Sequence, residues 1–190
     1  YIIQNILKKY SDKNFISIIE VGTHIGTTAT RFGNIIKNNK DSYVLCIDTW
    51  LGDVSEYLLR KEGLKYNLLN GNNTILFDLF LKNIYNNNLQ NIIIPFRLPS
   101  IQAGRILFFY GLKFDIIYLD ASHEYLDIKL DLILYWELLE ENGTLFGDDY
   151  QIYSVKKAVD EFVKKKNLKL KLINGIKINK IQQIIWILIK

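Results

Sequence analysis

The chain has 190 residues, 49% hydrophobic and 23% charged, with a net charge of +4. That is enough for one substantial core and ordinary for a globular protein. One cysteine excludes an internal disulfide, no run has the length of a membrane span, and the modest charge carries no arginine-rich stripe of a nucleic-acid binder.

Taken in order, Ile2–Lys9 reads as a short helix. Phe15–Val21 (FISIIEV) is a strand that runs into Glu20-Val21-Gly22. Gly26 then opens a helix with Ala29, Phe32, Ile35 and Ile36 on one face. Tyr43–Ile47 is a second buried strand containing Cys46, read as a small core residue, and it is closed by Asp48. Thr49–Asp53 (TWLGD) is a loop. Val54–Leu59 and Thr74–Tyr85 read as helices separated by the turn-rich Asn70-Gly71-Asn72-Asn73. Asn91–Phe96 is a third strand, and Ser100 is placed to cap a helix running to about Tyr110.

Phe114–Leu119 is an apolar run ending abruptly in Asp120, followed by Ala121-Ser122-His123-Glu124-Tyr125. The next helix carries Leu126, Leu130, Ile133, Leu134 and Leu138 on one side and Asp127 and Asp131 on another. Asn142-Gly143 is read as its stop. Thr144–Gly147 is a strand ending in Asp148-Asp149. Ser154 is placed to cap a helix with Val155, Ala158, Val159, Phe162 and Val163 inward. The lysines of that helix (Lys156, Lys157, Lys164–Lys166) form a solvated face. Leu168–Ile173 and Gln183–Ile189 are late strands, and their connection is too short for a parallel crossover. They are expected to pair antiparallel.

Alternating strands and helices imply an α/β fold. We expect a doubly wound, Rossmann-like, mostly parallel sheet with an antiparallel last strand and helices on both faces. One domain over 1–190 is expected, with an incomplete N-terminus because the sequence starts at Tyr1 and contains no Met. No signal peptide is evident, and a cytoplasmic location is expected.

Two regions carry chemistry. Glu20 to Gly26 joins the first strand to the first helix as E-x-G-x-x-x-G, where two glycines permit tight turning and close backbone approach. His24 stands where a dinucleotide fingerprint has its second glycine, and no P-loop is present, so pyrophosphate cradling is disfavoured. His24 itself reads as a spacer. Asp48 lies at the offset where a carboxylate accepts from ribose hydroxyls. A ligand with ribose and no phosphates fits both facts. The second region is the acid set Asp120, Asp148 and Asp149 with His123, delivered to one edge by two adjacent strands. All-oxygen ligands suit a hard cation such as Mg²⁺.

This pattern resembles class I S-adenosylmethionine-dependent methyltransferases, whose first motif is an acid-x-G-x-x-x-G turn followed by a ribose-binding acid. By that resemblance Glu20, Gly22, Thr23 and Gly26 line the methionine part of the cofactor, Asp48 holds the ribose, and Trp50 and Ser100 flank the adenine. The runs D-A-S-H-E-Y and L-x-x-N-G-T-L-x-x-D-D-Y further resemble the metal-dependent O-methyltransferases of the catechol type and of the macrocin and mycinamicin sugar type. That implies Mg²⁺, or a similar divalent cation, on Asp120, Asp148 and Asp149. It also implies His123 as general base, with Asp120 serving both the cofactor site and catalysis.

The implied activity is O-methylation of a small acceptor, a sugar or another diol or catechol-like molecule. No nucleic-acid or membrane partner is expected, and a homo-oligomer that completes the site is compatible. Two other readings are carried: a non-catalytic S-adenosylmethionine-binding or interaction module, and another Rossmann-like enzyme such as a nicotinamide oxidoreductase.

Overall fold

In the computed structural model, which describes residues 2–52, 75–178 and 181–190, strands and helices alternate. They run α1 (Ile2–Lys8), β1 (Ser17–Val21), α2 (Thr27–Ile36), β2 (Tyr43–Asp48), α3 (Ile75–Asn86), β3 (Ile93–Arg97), α4 (Ser100–Phe109), β4 (Phe114–Leu119), α5 (Tyr125–Glu137), β5 (Leu139–Gly147), α6 (Tyr153–Lys166), β6 (Lys171–Ile178) and β7 (Ile181–Ile189). The expected helix at Val54–Leu59, the turn at Asn70–Asn73 and the residues Asp53 and Thr74 lie outside the described residues.

The strands form one sheet in the order β3-β2-β1-β4-β5-β7-β6. β1 through β5 are parallel, while β7 runs antiparallel to both β5 and β6. The expected α/β architecture and its antiparallel end are therefore present. β1 and β4 are all buried, as strands covered on both faces are. One core packs α4, α5 and α6 against the sheet through Ala103, Leu107, Leu132, Trp136, Val159 and Phe162. The other packs α1, α2 and α3 through Leu7, Phe32, Phe80 and Ile84, and takes in Cys46. No helix among the described residues is long and apolar enough to cross a membrane.

Register decides what reaches the carboxyl edge. Val21 lies opposite Ile47 on one side and Leu119 on the other, and Leu119 lies opposite Gly147. The residues that follow these four are Asp48, Gly22, Asp120 and Asp148. They stand in a row on adjacent strands, spaced by roughly 4.8 Å per strand. The order also reverses between β1 and β4, the point where open α/β sheets bind ligands.

Several local expectations are corrected. On α5 the buried residues are Ile128, Asp131, Leu132, Tyr135 and Trp136. Leu126, Leu130 and Ile133 are 67%, 48% and 43% exposed. This helix is apolar nearly all round, so its pattern does not select a face. Burying Tyr135 and Trp136 removes more apolar area than burying leucines, and Asp131 goes in with them. Leu132→Ala is accordingly expected to cost roughly 2–5 kcal/mol and Leu130→Gln to stay within about 0.5 kcal/mol, measured by urea denaturation. The reverse order would mean the buried face is misassigned.

Asn142-Gly143 does not stop α5. Leu138 closes the helix and β5 begins at once. Asn142, at φ 63°, lies inside β5, where the ladder to β4 shifts register between Phe114 and Ile116. The left-handed tolerance of Asn is used to bend a strand.

Ser100 and Ser154 do not cap by their side chains, because Pro99 and Ile152 hold the two N-cap positions. The Ser154 hydroxyl donates instead to the His123 carbonyl at 2.6 Å. Ile35, expected inward on α2, is 38% exposed, and Gly33 takes the inner position.

Candidate active site

The turn after β1 is shaped by two left-handed glycines. Gly22 has φ 86° and Gly26, at the N-cap of α2, has φ 79°. A side chain on Gly22 would begin 2.0 Å from the Asp120 carbonyl oxygen, so the β1 and β4 turns touch backbone to backbone there. Glu20 lies beneath the turn, 1% exposed, with Oε2 unpartnered. Burial and, second, nearby Asp48 push its carboxyl well above the usual carboxylate range. It supports the turn from below. Thr23 is buried, and its hydroxyl reaches the Glu20 carbonyl at 3.4 Å.

Asp48 knots two turns together. Its carboxylate accepts from the His24 amide and from the Trp50 amide, each at 2.7 Å. The Trp50 indole closes the loop by donating to the His24 carbonyl at 2.7 Å. His24 therefore acts through its backbone, at φ 50°, which accords with a spacer. A carboxylate has about four acceptor sites, so Asp48 keeps capacity for further donors.

Trp50 lies inward. Its ring is fully buried against Phe77 and Phe80, so it is a packing residue of the turn with no exposed face to offer a base. Ser100, at the start of α4, is tied to α5: its carbonyl accepts from Tyr135 Oη at 2.8 Å.

At the other end of the row the acids and the histidine meet. Asp120, His123 and Asp149 each offer a ligand atom, and the three atoms lie within 4.8 Å of one another. His123 Nε2 and Asp149 Oδ2 are 2.9 Å apart, and Gln151 donates to Asp149 Oδ1 at 2.6 Å. Asp149 sits at φ 56°, a left-handed conformation that Asp tolerates, and this turns its carboxylate back to the histidine. The hydrogen bond from His123 holds Asp149 below the usual carboxylate range.

Asp148 takes a different place from the one its sequence neighbour suggests. It follows Gly147, which pairs with Leu119, and so stands beside Asp120 on the adjacent strand end, outside the three-residue cluster. Burial and then Asp148 push Asp120 well up, and burial and then Asp149 raise Asp148. Two carboxyls this close share a proton unless a cation relieves them. Oxygen donors and one imidazole suit a divalent cation, so the residues fit such an ion.

Sequence reasoning missed Tyr118, Asp131 and Trp186. Tyr118 Oη donates to Asp120 Oδ2 at 3.0 Å, and its ring stacks on Phe146. The i, i+2 spacing on a strand was the available signal. Asp131, 4% exposed, is raised to about 7, first by burial. Unfolded it titrates near 3.8, so folding favours its protonated form. That contribution is fully present below pH about 3.8 and is lost as pH rises to about 7. Its size is on the order of 2–4 kcal/mol. Asp131→Asn should flatten the stability profile across this window, with the variant gaining on the parent as pH rises from 4 to 7.5. Parallel urea-denaturation profiles would contradict it.

Residues 19–150 match the family described as "Methyltransferase domain". The fold is similar to that of the O-methyltransferase from Bacillus cereus solved with SAH, with a TM-score of 0.69 and 11% identity, covering 100% of this chain and 79% of that one. It is also similar to the O-methyltransferase NovP, with a TM-score of 0.67 and 17% identity, covering 97% and 76%. A curated relative is the uncharacterized protein R132 of Acanthamoeba polyphaga mimivirus, 24% identical over 167 residues and 86% of this chain. The chain spans 66% of that protein's length.

Proposed function

The chain belongs to the methyltransferase-domain family, and from that premise we propose that it moves the methyl group of S-adenosylmethionine to a hydroxyl of a sugar or other small diol-bearing acceptor, assisted by Mg²⁺ or a similar cation. The observation that carries this reading is the contact of the two turns. The glycine turn touches the Asp120 backbone, and Asp120, His123 and Asp149 converge just beyond it.

In this reading Gly22, Thr23 and Gly26 give the methionine part of the cofactor close access to backbone. Asp48 accepts from the ribose with the lone pairs left by His24 and Trp50. Ser100 and the start of α4 border the adenine. Trp50 supports this turn from within the core. Asp120, Asp149 and, once its shared proton leaves, Asp148 hold the cation. Bound there, a divalent cation would offset the crowded negative charge and lower the pKa of a neighbouring acceptor hydroxyl. Positioning supplies much of the remaining barrier to an in-line displacement at the methyl carbon.

A second reading follows from the 2.9 Å His123–Asp149 pair. Asp149 orients the imidazole, and His123 takes the acceptor proton with no cation needed, in the manner of a base held by a buried carboxylate. The deciding experiment is methyl transfer from labelled S-adenosylmethionine to a panel of sugars and catechols, with EDTA and with Mg²⁺ restored. Cation dependence supports the first reading. Full activity in EDTA removes it and leaves the second.

A further inference from the structure

Two buried polar atoms are unsatisfied beside the acid edge, and their residues line one cleft. Its lining takes in Asp120, His123 and Asp148 of the acid edge together with Asp131, Val155 and Trp186. Trp186 is 1% exposed and its indole Nε1 has no acceptor. Asp131 is also buried, and its Oδ1 has no donor.

Both positions are imposed by the fold. β7 pairs Trp186 with Gly147, and a side chain on Gly147 would begin 2.6 Å from Trp186 Cε2. The indole therefore lies against the glycine that precedes Asp148. Asp131 is drawn in with the aromatic face of α5, beside the buried Tyr135 and Trp136. An unpaired buried polar group keeps its desolvation cost without a compensating bond, and orphans of this kind are few in folded proteins. Two of them on one cleft point to an occupant. The space is about 20 Å³, and one water needs roughly 10–15 Å³.

We propose that this cleft binds one neutral hydroxyl group, which accepts from Trp186 Nε1–H and donates to Asp131 Oδ1. At the Asp131–Trp186 end of the cleft an anion would meet the Asp131 carboxyl and a bare cation the indole N–H, whereas the proposed cation belongs to the Asp120 and Asp148 end. A hydroxyl both accepts and donates. Its source is an internal water or, resting on the methyl-transfer reading, a second hydroxyl of the acceptor entering past His123 and Asp148.

The test is proton NMR of the ¹⁵N-labelled chain, free and with ethylene glycol added. The Trp186 indole resonance is identified by its loss in Trp186→Phe. The expected result is a cross-peak from that indole proton to water in the free protein, and a shift of the resonance in the isosteric Asp131→Asn. With glycol, a retained water cross-peak identifies an internal water. Replacement by a cross-peak to the glycol methylene protons identifies an acceptor-hydroxyl subsite. An indole proton with no cross-peak to water or glycol, and no shift in Asp131→Asn, means a dry cleft and overturns the proposal. No methyl transfer is read, so this result is independent of the proposed activity.

Discussion

Gly22→Ala is expected to lose on the order of 3–5 kcal/mol of stability and to abolish binding of S-adenosylhomocysteine. Two costs act at once. The residue has φ 86°, which an L side chain adopts at about 1–3 kcal/mol. The new Cβ would also lie 2.0 Å from the Asp120 carbonyl oxygen and 2.6 Å from Ala121 Cα. Both are backbone atoms, so one turn must move, and overpacking of this kind costs about 1–3 kcal/mol more. Gly111→Ala separates the terms. Gly111 also has positive φ, 65°, but nothing lies within 4 Å of its Cβ position, so it should lose only the conformational part. Urea denaturation measures stability and calorimetry measures binding. A Gly22→Ala variant no less stable than Gly111→Ala would show that the two turns are not in contact.

Asp149→Ala should lower kcat/KM for methyl transfer by roughly 10²–10⁴-fold, the range associated with losing a positioned proton acceptor. Asp149 takes part in two contacts. It accepts from His123 at 2.9 Å, and it shares the 4.8 Å cluster with His123 and Asp120. If the cation carries the reaction, Asp149→Ala and EDTA treatment give losses of similar size, and excess Mg²⁺ restores part of the variant's rate. If the His123–Asp149 pair carries it, EDTA changes nothing, while His123→Ala and Asp149→Ala fall together without adding. An unchanged rate in both variants would remove this cluster from the chemistry.

The family-level architecture was legible in the sequence because its signals are local. Continuous apolar runs ending in Glu20-Val21-Gly22, Asp48, Asp120 and Asp148 mark buried parallel strands and their carboxyl ends. A short connection marks the antiparallel pair. What was not legible was orientation. Asn142-Gly143 and the two serines carry genuine turn and cap propensities, but these residue types serve several roles, and neighbouring strands and helices chose among them. Trp50 was placed beside the adenine by family resemblance alone. Its burial follows from Phe77 and Phe80 on α3, about thirty residues away in the chain.

The sequence alone determined the order of elements, the glycine turn, and the set of acids that the strand ends deliver, because hydrophobic period and backbone tolerance act over a few residues. Only the tertiary structure decided which of those acids work together. Strand register set Asp148 beside Asp120, and a left-handed backbone turned Asp149 to His123. It also buried Asp131 and Trp186 at the same cleft. These pairings join residues far apart in the chain, and their energies depend on burial and shared hydrogen bonds that exist only once the sheet and α5 have packed.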